Sequence, residues 1–474
     1  MTDPILVLTA HPLQRVGAYA LTELAGRRRP EQITDADLES AVGKMADDAV
    51  RAALGRDTKA ASGFWLKSSL SLFPNSVMNH PSNGKRPDTE IEDRVRDWRA
   101  RPPERDHPGV PCVLCGRSAA GFYGKVDVPL AESDLYRNST PRGHDGMALC
   151  WPCVCSFHAL PYGCQLSGGP ATAVHSWDER FLGRCTARRV RGNRQHIVLD
   201  GREPVQPPSR EALALRELRG YAEALTAGVE LLVFSNNNRG QTLDVHRLEQ
   251  PAAEWLRRSI RSEGRRRGFR ALLRAHTTSD RPGTVGLARN LFREPRRVVG
   301  VAGRYLMGGL EGGVSRLDGP ELVALCFDYV TEVLGMEEGT LKEIRVVANR
   351  VALRLKQQTS AGKLKEFNAH LRDQRRLRHW LRTEALQWLL DPPEGVPAGD
   401  TAPMVSTRAY ELLFDPTLDS QAWFHRELLL IGVVERLHEL GWRAADGKQA
   451  ADALREDESL HAEDEMTMQE GEDL

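Results

Sequence analysis

Four of the eight cysteines in this 474-residue chain fall into two Cys-x-x-Cys pairs. Cys112 and Cys115 form the first pair, Cys150 and Cys153 form the second, and 34 residues separate the pairs. Each such turn directs two thiolates at one point, which suits tetrahedral Zn²⁺. A redox dithiol needs only one pair, normally in a βαβ context, so two pairs favour a metal. We therefore predict one structural Zn²⁺ ion, whose four sulfur ligands leave no open coordination position.

The remaining cysteines are expected to be small apolar core residues, a common role for a free thiol. They are Cys155, Cys164, Cys185 and Cys326. A Cys₃His site, with His144 or His158 replacing one thiolate, is an alternative, although a core or surface histidine is the commoner case.

Short apolar runs on either side of the cysteines predict strands, and longer periodic segments predict helices. Helices are expected from 12 to about 26, from 35 with Thr34 as its cap, and throughout most of the chain after residue 250. An apolar stripe at spacings of three and four, running from Leu341 to Leu355, predicts a helix packed in a bundle. The predicted strands are 4–10, 172–177, 195–200, 229–234 and 242–249, with the last two forming a hairpin.

The predicted fold class is α+β, with a mixed N-terminal domain followed by an all-α C-terminal helical bundle. The N-terminal domain covers 1–250 and contains a zinc-binding insert at about 108–165. A basic, mainly helical connecting region follows over 251–335, the bundle over 336–450 and a disordered acidic tail over 451–474.

Charge is strongly segregated, although Lys plus Arg and Asp plus Glu both number 65. Between Arg257 and Arg304 there are fourteen arginines and three acidic residues, whereas nine acidic residues and one arginine lie between 455 and 474. Arginine at that density suits bidentate phosphate contacts and indicates a nucleic-acid partner. A solvated helical face is the alternative explanation.

Several classes of protein lack support in the sequence. It contains no GxxxxGK[ST] phosphate loop, no HExxH motif and no GxSxG elbow. Since these motifs are absent, a protein without enzymatic activity is expected. We find no secretory signal pattern and no apolar run long enough for a bilayer, so a cytoplasmic protein is expected. The alternative from a different class is a free-standing zinc-ribbon nuclease or nucleic-acid-modifying enzyme.

Several segments together resemble the CXXC-CXXC family of CRISPR-associated proteins, the large subunits of type I-B Cascade. They are the opening LTAHPLQRVGAYALTELAG, the loop LFPNSVMNHPSN, the two cysteine pairs, the turn LPYGCQLSGG and the hairpin VFSNNNRG. These segments follow the family order over roughly residues 5 to 250. The opening departs from the family at Arg15, where an acidic residue is usual before the glycine.

The resemblance implies a noncatalytic subunit that reads the short motif adjacent to the target and helps to unwind the DNA. It also implies that the subunit holds the displaced strand and recruits the helicase-nuclease. Its expected partners are the guide crRNA, the other Cascade subunits, double-stranded target DNA and the displaced single strand. In such complexes guide pairing supplies the sequence, while the protein reads shape and a few base edges.

Side chains that read bases or grip phosphates are expected on two Asn-rich loops and on arginine-rich helices. Ordinary turn chemistry is the alternative for the loops, since Asn readily adopts left-handed backbone. The predicted nucleic-acid contacts are Lys67, Asn75, Asn79, Asn83, Lys85, Asn236, Asn237, Asn238, Arg239, Arg265, Arg266, Arg267, Arg270, Arg372, Arg375 and Arg376.

Overall fold

The computed structural model divides the chain into two compact units, 1–253 and 254–474. The first unit combines helices with two small antiparallel sheets, and the described part of the second is all helical, so the α+β prediction is confirmed. The predicted boundaries within each unit stay predictions, and the acidic tail lies outside the described residues. The structure describes residues 4–55, 68, 71–74, 76–131, 146–166, 169–198, 209–237, 240–312, 319–357, 362–396, 402–417 and 421–442.

Helices make up much of the first unit. They are α1 (Pro12–Leu24), α2 (Asp35–Gly55), α3 (Asp88–Arg99), α4 (Trp151–Gly163), α5 (Glu179–Val198) and α6 (Arg210–Arg219), with α7 (Gln250–Arg258) at the division between the units. As predicted, Thr34 caps α2: its Oγ1 accepts from the Asp37 N–H at 3.2 Å and donates to the Asp37 carboxylate at 2.8 Å. The Thr34 side chain therefore gives a partner to one of the first backbone N–H groups of the helix, which have no partner within the helix.

The strands form two separate sheets. The first pairs β1 (Gly121–Tyr123) with β2 (Met147–Leu149), and the second has the order β3 (Ala171–Ser176), β4 (Val229–Asn237), β5 (Gly240–Leu248). All neighbouring strands are antiparallel. The predicted strand at 172–177 and the predicted hairpin of 229–234 with 242–249 are confirmed.

Two strand predictions are wrong. Residues 4–10 form no strand; the Gln14 side chain accepts from the Thr9 N–H at 3.0 Å and donates to the Val7 carbonyl at 3.0 Å. A side-chain amide thus supplies the partner that a neighbouring strand would have supplied. Residues 195–198 continue α5 instead, because extending an existing helix fixes one residue per added hydrogen bond and needs no new nucleus.

Helix α4 runs through the core of the first unit, with most of its side chains buried. It packs against α1 so closely that a Cβ atom at Gly17 would lie 1.9 Å from the Ser156 carbonyl oxygen. Only glycine allows this approach of the two backbones. The packing fixes α4, and with it the second cysteine pair, against the N-terminal helix.

The second unit is a set of packed helices in which α12 contacts α16 and α8 contacts α11. The stripe from Leu341 to Leu355 on α12 is buried, as predicted. None of the described helices combines the length and apolar character that a membrane crossing requires. The remaining helices are α8 (Glu263–Ala275), α9 (Gly283–Arg293), α10 (Arg297–Gly312), α11 (Gly319–Glu332), α12 (Glu338–Lys356), α13 (Gly362–Arg372), α14 (Gln374–Leu390), α15 (Thr407–Phe414) and α16 (Ala422–Glu439).

Candidate functional site

The first cysteine pair lies on a tight turn just before β1. The Cys112 N–H donates to the Arg117 carbonyl at 2.6 Å, and the Gly116 N–H donates to the Cys112 carbonyl at 2.9 Å. Gly116 has φ +78°, in the left-handed region that favours glycine. The Val113 N–H donates to the Ala148 carbonyl at 2.9 Å, which ties the turn to β2.

The second cysteine pair lies at the start of α4, directly after β2. Cys150 is the N-cap residue, and its carbonyl accepts from the Val154 N–H at 3.1 Å. Cys153 lies in the first turn, and Pro152 is tolerated there because the first-turn N–H groups have no intrahelical partner. Unpaired N–H groups and the helix dipole at this end favour negatively charged sulfur.

These two turns bring four sulfurs together. The Sγ atoms of Cys112, Cys115, Cys150 and Cys153 all lie within 4.8 Å of one another, and those of Cys115 and Cys150 are 3.4 Å apart. All eight cysteines are free thiols. Sulfurs at the corners of a tetrahedral Zn²⁺ site lie about 3.8 Å apart, so the cluster is compatible with one structural zinc ion.

Hydrogen bonding distributes the protons unevenly within the sulfur cluster. The thiols of Cys150 and Cys153 donate to the Cys112 sulfur, which lowers the pKa of Cys112. Bonds to Cys112 and to Cys150 raise the pKa of Cys153, and the bond to Cys112 raises the pKa of Cys150. Since zinc binds thiolates, its binding must release the remaining protons.

Cys155 and His158 lie outside this cluster. Cys155 is fully buried, and burial raises the pKa of its thiol, so the prediction of a small core residue is confirmed. His158 lies against Trp98 and Phe73, with Nε2 3.5 Å from the Asp127 carboxylate. Burial lowers its pKa to about 4, as expected for a neutral core histidine. His144 lies outside the described residues.

Asn236 joins three distant segments of the first unit. Its side-chain amide donates to the carbonyl of Leu72 at 2.8 Å and to that of Lys125 at 2.8 Å. Its side-chain oxygen accepts from Gln241 at 2.7 Å. One buried amide thus connects the LFPNSVMNHPSN loop, the segment after β1 and the β4–β5 hairpin.

The predicted loop contacts therefore separate into two groups. Asn83 and Asn236 are buried with their amides bonded to backbone carbonyls, so neither is available to base edges. Asn79 is half-buried and Lys85 is exposed. Lys67, Asn75, Asn238, Arg239 and the side chain of Asn237 lie outside what the structure describes.

The predicted arginine contacts of α8 lie among acidic groups. Arg265 is 2.6 Å from Asp328 and bridges α8 to α11. Arg266, Arg267 and Arg270 lie 2.9, 3.4 and 3.6 Å from the exposed Glu263 carboxylate. Exposed ion pairs of this kind contribute about 1 kcal/mol or less, so the last three guanidinium groups stay available to a phosphate.

A second group of predicted arginine contacts lies at the junction of α13 and α14. Arg372, Arg375 and Arg376 are exposed. The Asp373 carboxylate caps α14 by accepting the N–H groups of Arg375 and Arg376 at 2.8 and 3.1 Å. Their side chains thus extend from a helix start whose N–H groups already have a partner.

Sequence reasoning missed a second polar cluster, around β3. His175 is fully buried, with Nδ1 2.9 Å from the Glu230 carboxylate, and burial lowers its pKa. Arg15 lies over the Trp177 ring and 3.2 Å from Glu179. Alternation along β3 could have suggested that His175 and Trp177 share a face, but nothing in the sequence pointed to Glu230 or Arg15 as their partners.

No protein-family model matches the chain, and no curated protein matches it.

Proposed function

We propose that this chain is the noncatalytic large subunit of a type I-B CRISPR effector complex, in which it recognises the motif adjacent to the target and contacts DNA. In this proposal a Zn²⁺ ion bound by Cys112, Cys115, Cys150 and Cys153 is structural. It fixes the β1–β2 hairpin against α4, and the guide RNA supplies the sequence recognition.

The bonding of Asn236 carries this proposal. The LFPNSVMNHPSN loop and the VFSNNNRG hairpin are 150 residues apart, and each contributes to the resemblance. The Asn236 amide joins them to each other and to Lys125, two residues after β1. A single recognition surface needs such loops side by side on a rigid support. Four cysteine ligands, two before β1 and two at the start of α4, would supply that rigidity.

Two sets of side chains, all exposed except the half-buried Asn79, are the proposed DNA contacts. In the first unit they are Asn79 and Lys85, whose amide and ammonium groups suit base edges and phosphates. In the second unit they are Arg266, Arg267 and Arg270 on α8, which suit the phosphate backbone of the target duplex and of the displaced strand.

Salt dependence of DNA binding tests the arginine contacts. Replacing Arg266, Arg267 and Arg270 with Gln should reduce the slope of log K against log salt by up to about three units, since each phosphate neutralised contributes roughly 0.9. Arg96→Gln, Arg180→Gln and Arg191→Gln together are the matched control, because these arginines are also exposed and ion-paired. Their slope should stay within about half a unit of the wild type.

Equal slopes for the two triple variants would contradict the arginine contacts. Co-purification with guide RNA and backbone-forming subunits tests the assembly itself. A chain that assembles with no RNA and cuts DNA in a metal-dependent reaction would instead be the zinc-ribbon nuclease of the alternative hypothesis.

A further inference from the structure

A cavity of about 670 Å³ opens in the second unit, between the end of α12, the helix α13 and the helix α14. Helix α13 contributes Lys363 and His370 to its wall, and α14 contributes Arg375, Arg376 and His379. Small-molecule sites commonly have volumes of about 300 to 1,000 Å³, so the space is sufficient for a nucleotide.

The cavity wall is positively charged. It contains four Lys or Arg side chains and two carboxylates, and the carboxylates already have partners. Arg354 lies 3.1 Å from Glu384, and Lys363 lies 2.8 Å from Glu366. The guanidinium of Arg375 makes no hydrogen bond or ion pair within the described chain, and that of Arg376 makes one exposed ion pair, 3.5 Å from Asp373. Two neighbouring guanidinium groups are thus left for a ligand.

Two ring nitrogens in the same wall lack partners. Trp380 is 6% exposed, and its indole N–H has no hydrogen-bond partner in the described structure; the same holds for Nδ1 of His370. Buried polar groups are normally hydrogen-bonded, and those that are not need an explanation such as a missing ligand. A ligand rich in acceptor oxygens would suit the indole donor and the guanidinium groups together.

We propose that this cavity binds a phosphate monoester, with Arg375 and Arg376 as its main ligands and Lys363, His370 and His379 as the surrounding donors. Planar guanidinium groups bind phosphate in bidentate fashion, and several donors suit a dianion better than the single charge of a backbone phosphodiester. The phosphate could belong to the end of a nucleic-acid strand or to a free nucleotide. This site goes beyond the proposed function, which requires only phosphodiester contacts, and it does not depend on that function.

Calorimetric titration of the full chain tests this site with four probes. They are inorganic phosphate, adenosine monophosphate, a pentadeoxynucleotide with one terminal phosphate, and the same oligonucleotide without that phosphate. A terminal phosphate should tighten oligonucleotide binding by about tenfold or more, the value of a charged hydrogen-bonded contact. If adenosine monophosphate binds as tightly as the phosphorylated oligonucleotide, the site is a nucleotide site. If the phosphorylated oligonucleotide binds and adenosine monophosphate does not, the site binds the end of a strand.

A matched pair of variants on α14 distinguishes specific binding in the cavity from nonspecific attraction to positive charge. Arg375→Glu should weaken binding of the phosphorylated probe by about tenfold or more. Arg382→Glu, at an exposed arginine of the same helix outside the cavity wall, should change it by less than about twofold. Unchanged circular dichroism of both variants checks that they fold, and Arg375→Gln repeats the test without a charge reversal.

Three results would overturn the proposal: equal losses in the two variants, no preference for a terminal phosphate, or no binding of any phosphomonoester. All are measured on the isolated chain. They are therefore independent of the guide-RNA assembly and the α8 salt slope that test the proposed function.

Discussion

The two units hold their candidate functional residues in opposite ways. In the first unit, the residues predicted to act are brought together from distant parts of the chain, and several turn inward: Asn83 and Asn236 bond to backbone carbonyls, and three of the four clustered cysteines are buried. In the second unit, the predicted arginines other than Arg265 stay on the faces of single helices and keep much of their exposure. The first unit therefore depends on long-range support, and the second on local helical order.

This difference follows from the chemistry of the side chains. An amide is short and neutral, so it can be buried at little cost once its hydrogen bonds are made. A guanidinium group is long and charged, and its burial requires a partner, so it normally reaches solvent from a helical face. Asn-rich motifs consequently predict function less securely than arginine-rich helices, although the latter also serve as ion-pair networks.

Removal of zinc should have the largest effect, and only on the first unit. Structural zinc contributes roughly 10 to 16 kcal/mol of apparent binding free energy, so Cys150→Ser or a chelator should unfold the region around the cysteines. Hydrogen exchange should rise sharply in β1, β2 and α4 and stay unchanged in α12. Cys155→Ala, on the same helix but outside the sulfur cluster, should keep one zinc per chain by elemental analysis. Pure protein without zinc would contradict the site.

The contact between α1 and α4 gives the next largest effect. Gly17→Ala places a methyl group 1.9 Å from the Ser156 oxygen, so the helices must separate. We expect a loss of about 3 kcal/mol or more in the free energy of unfolding, measured by urea denaturation. Gly43→Ala is the matched control: it lies in α2 with no atom within 4 Å of its added methyl group. It should stabilise the helix by up to about 1 kcal/mol, and similar effects from both variants would rule out the close packing.

Acid sensitivity should identify a buried histidine in the second unit. Burial lowers the pKa of His276 to about 4, below the value near 6.5 of an unfolded chain. The unfolded state therefore binds the proton more strongly, and stability present above pH 6.5 is lost as the pH falls towards 4, by about 3 kcal/mol. His276→Gln cannot titrate, so hydrogen exchange of α8 and α9 should depend less on pH in that variant. An equal pH dependence in both proteins would show that His276 does not control it.

The smallest effects distinguish an amide side chain that stabilises the fold from one that contacts DNA bases. Asn236→Ala leaves the buried Leu72 carbonyl and the part-buried Lys125 carbonyl without their donor and should cost about 2 kcal/mol of unfolding free energy. Asn79→Ala, at a half-buried position, should leave stability within about 0.5 kcal/mol and instead reduce discrimination between motif variants in DNA binding. The reverse pattern would exchange the two roles, and unchanged discrimination would remove Asn79 from the DNA surface.

Local patterns were sufficient for many elements. The cap at Thr34, the β4–β5 hairpin and the buried stripe of α12 were all predicted, since each depends on residues near one another in sequence. The strand predictions failed where an adjoining helix took precedence. Gln14 replaced a strand partner for residues 4–10, and α5 continued through an apolar run whose composition favours a strand.

Sequence patterns were sufficient for the two Cys-x-x-Cys pairs, the helical character of the second unit and the location of the positive charge, because spacing and periodicity are encoded within a few turns of chain. Tertiary structure alone decided that Asn236 joins three segments, that His175 faces Glu230 and that α12, α13 and α14 enclose a cavity. Each of these depends on atoms tens to hundreds of residues apart, and a contact of that kind exists only after the intervening chain has packed.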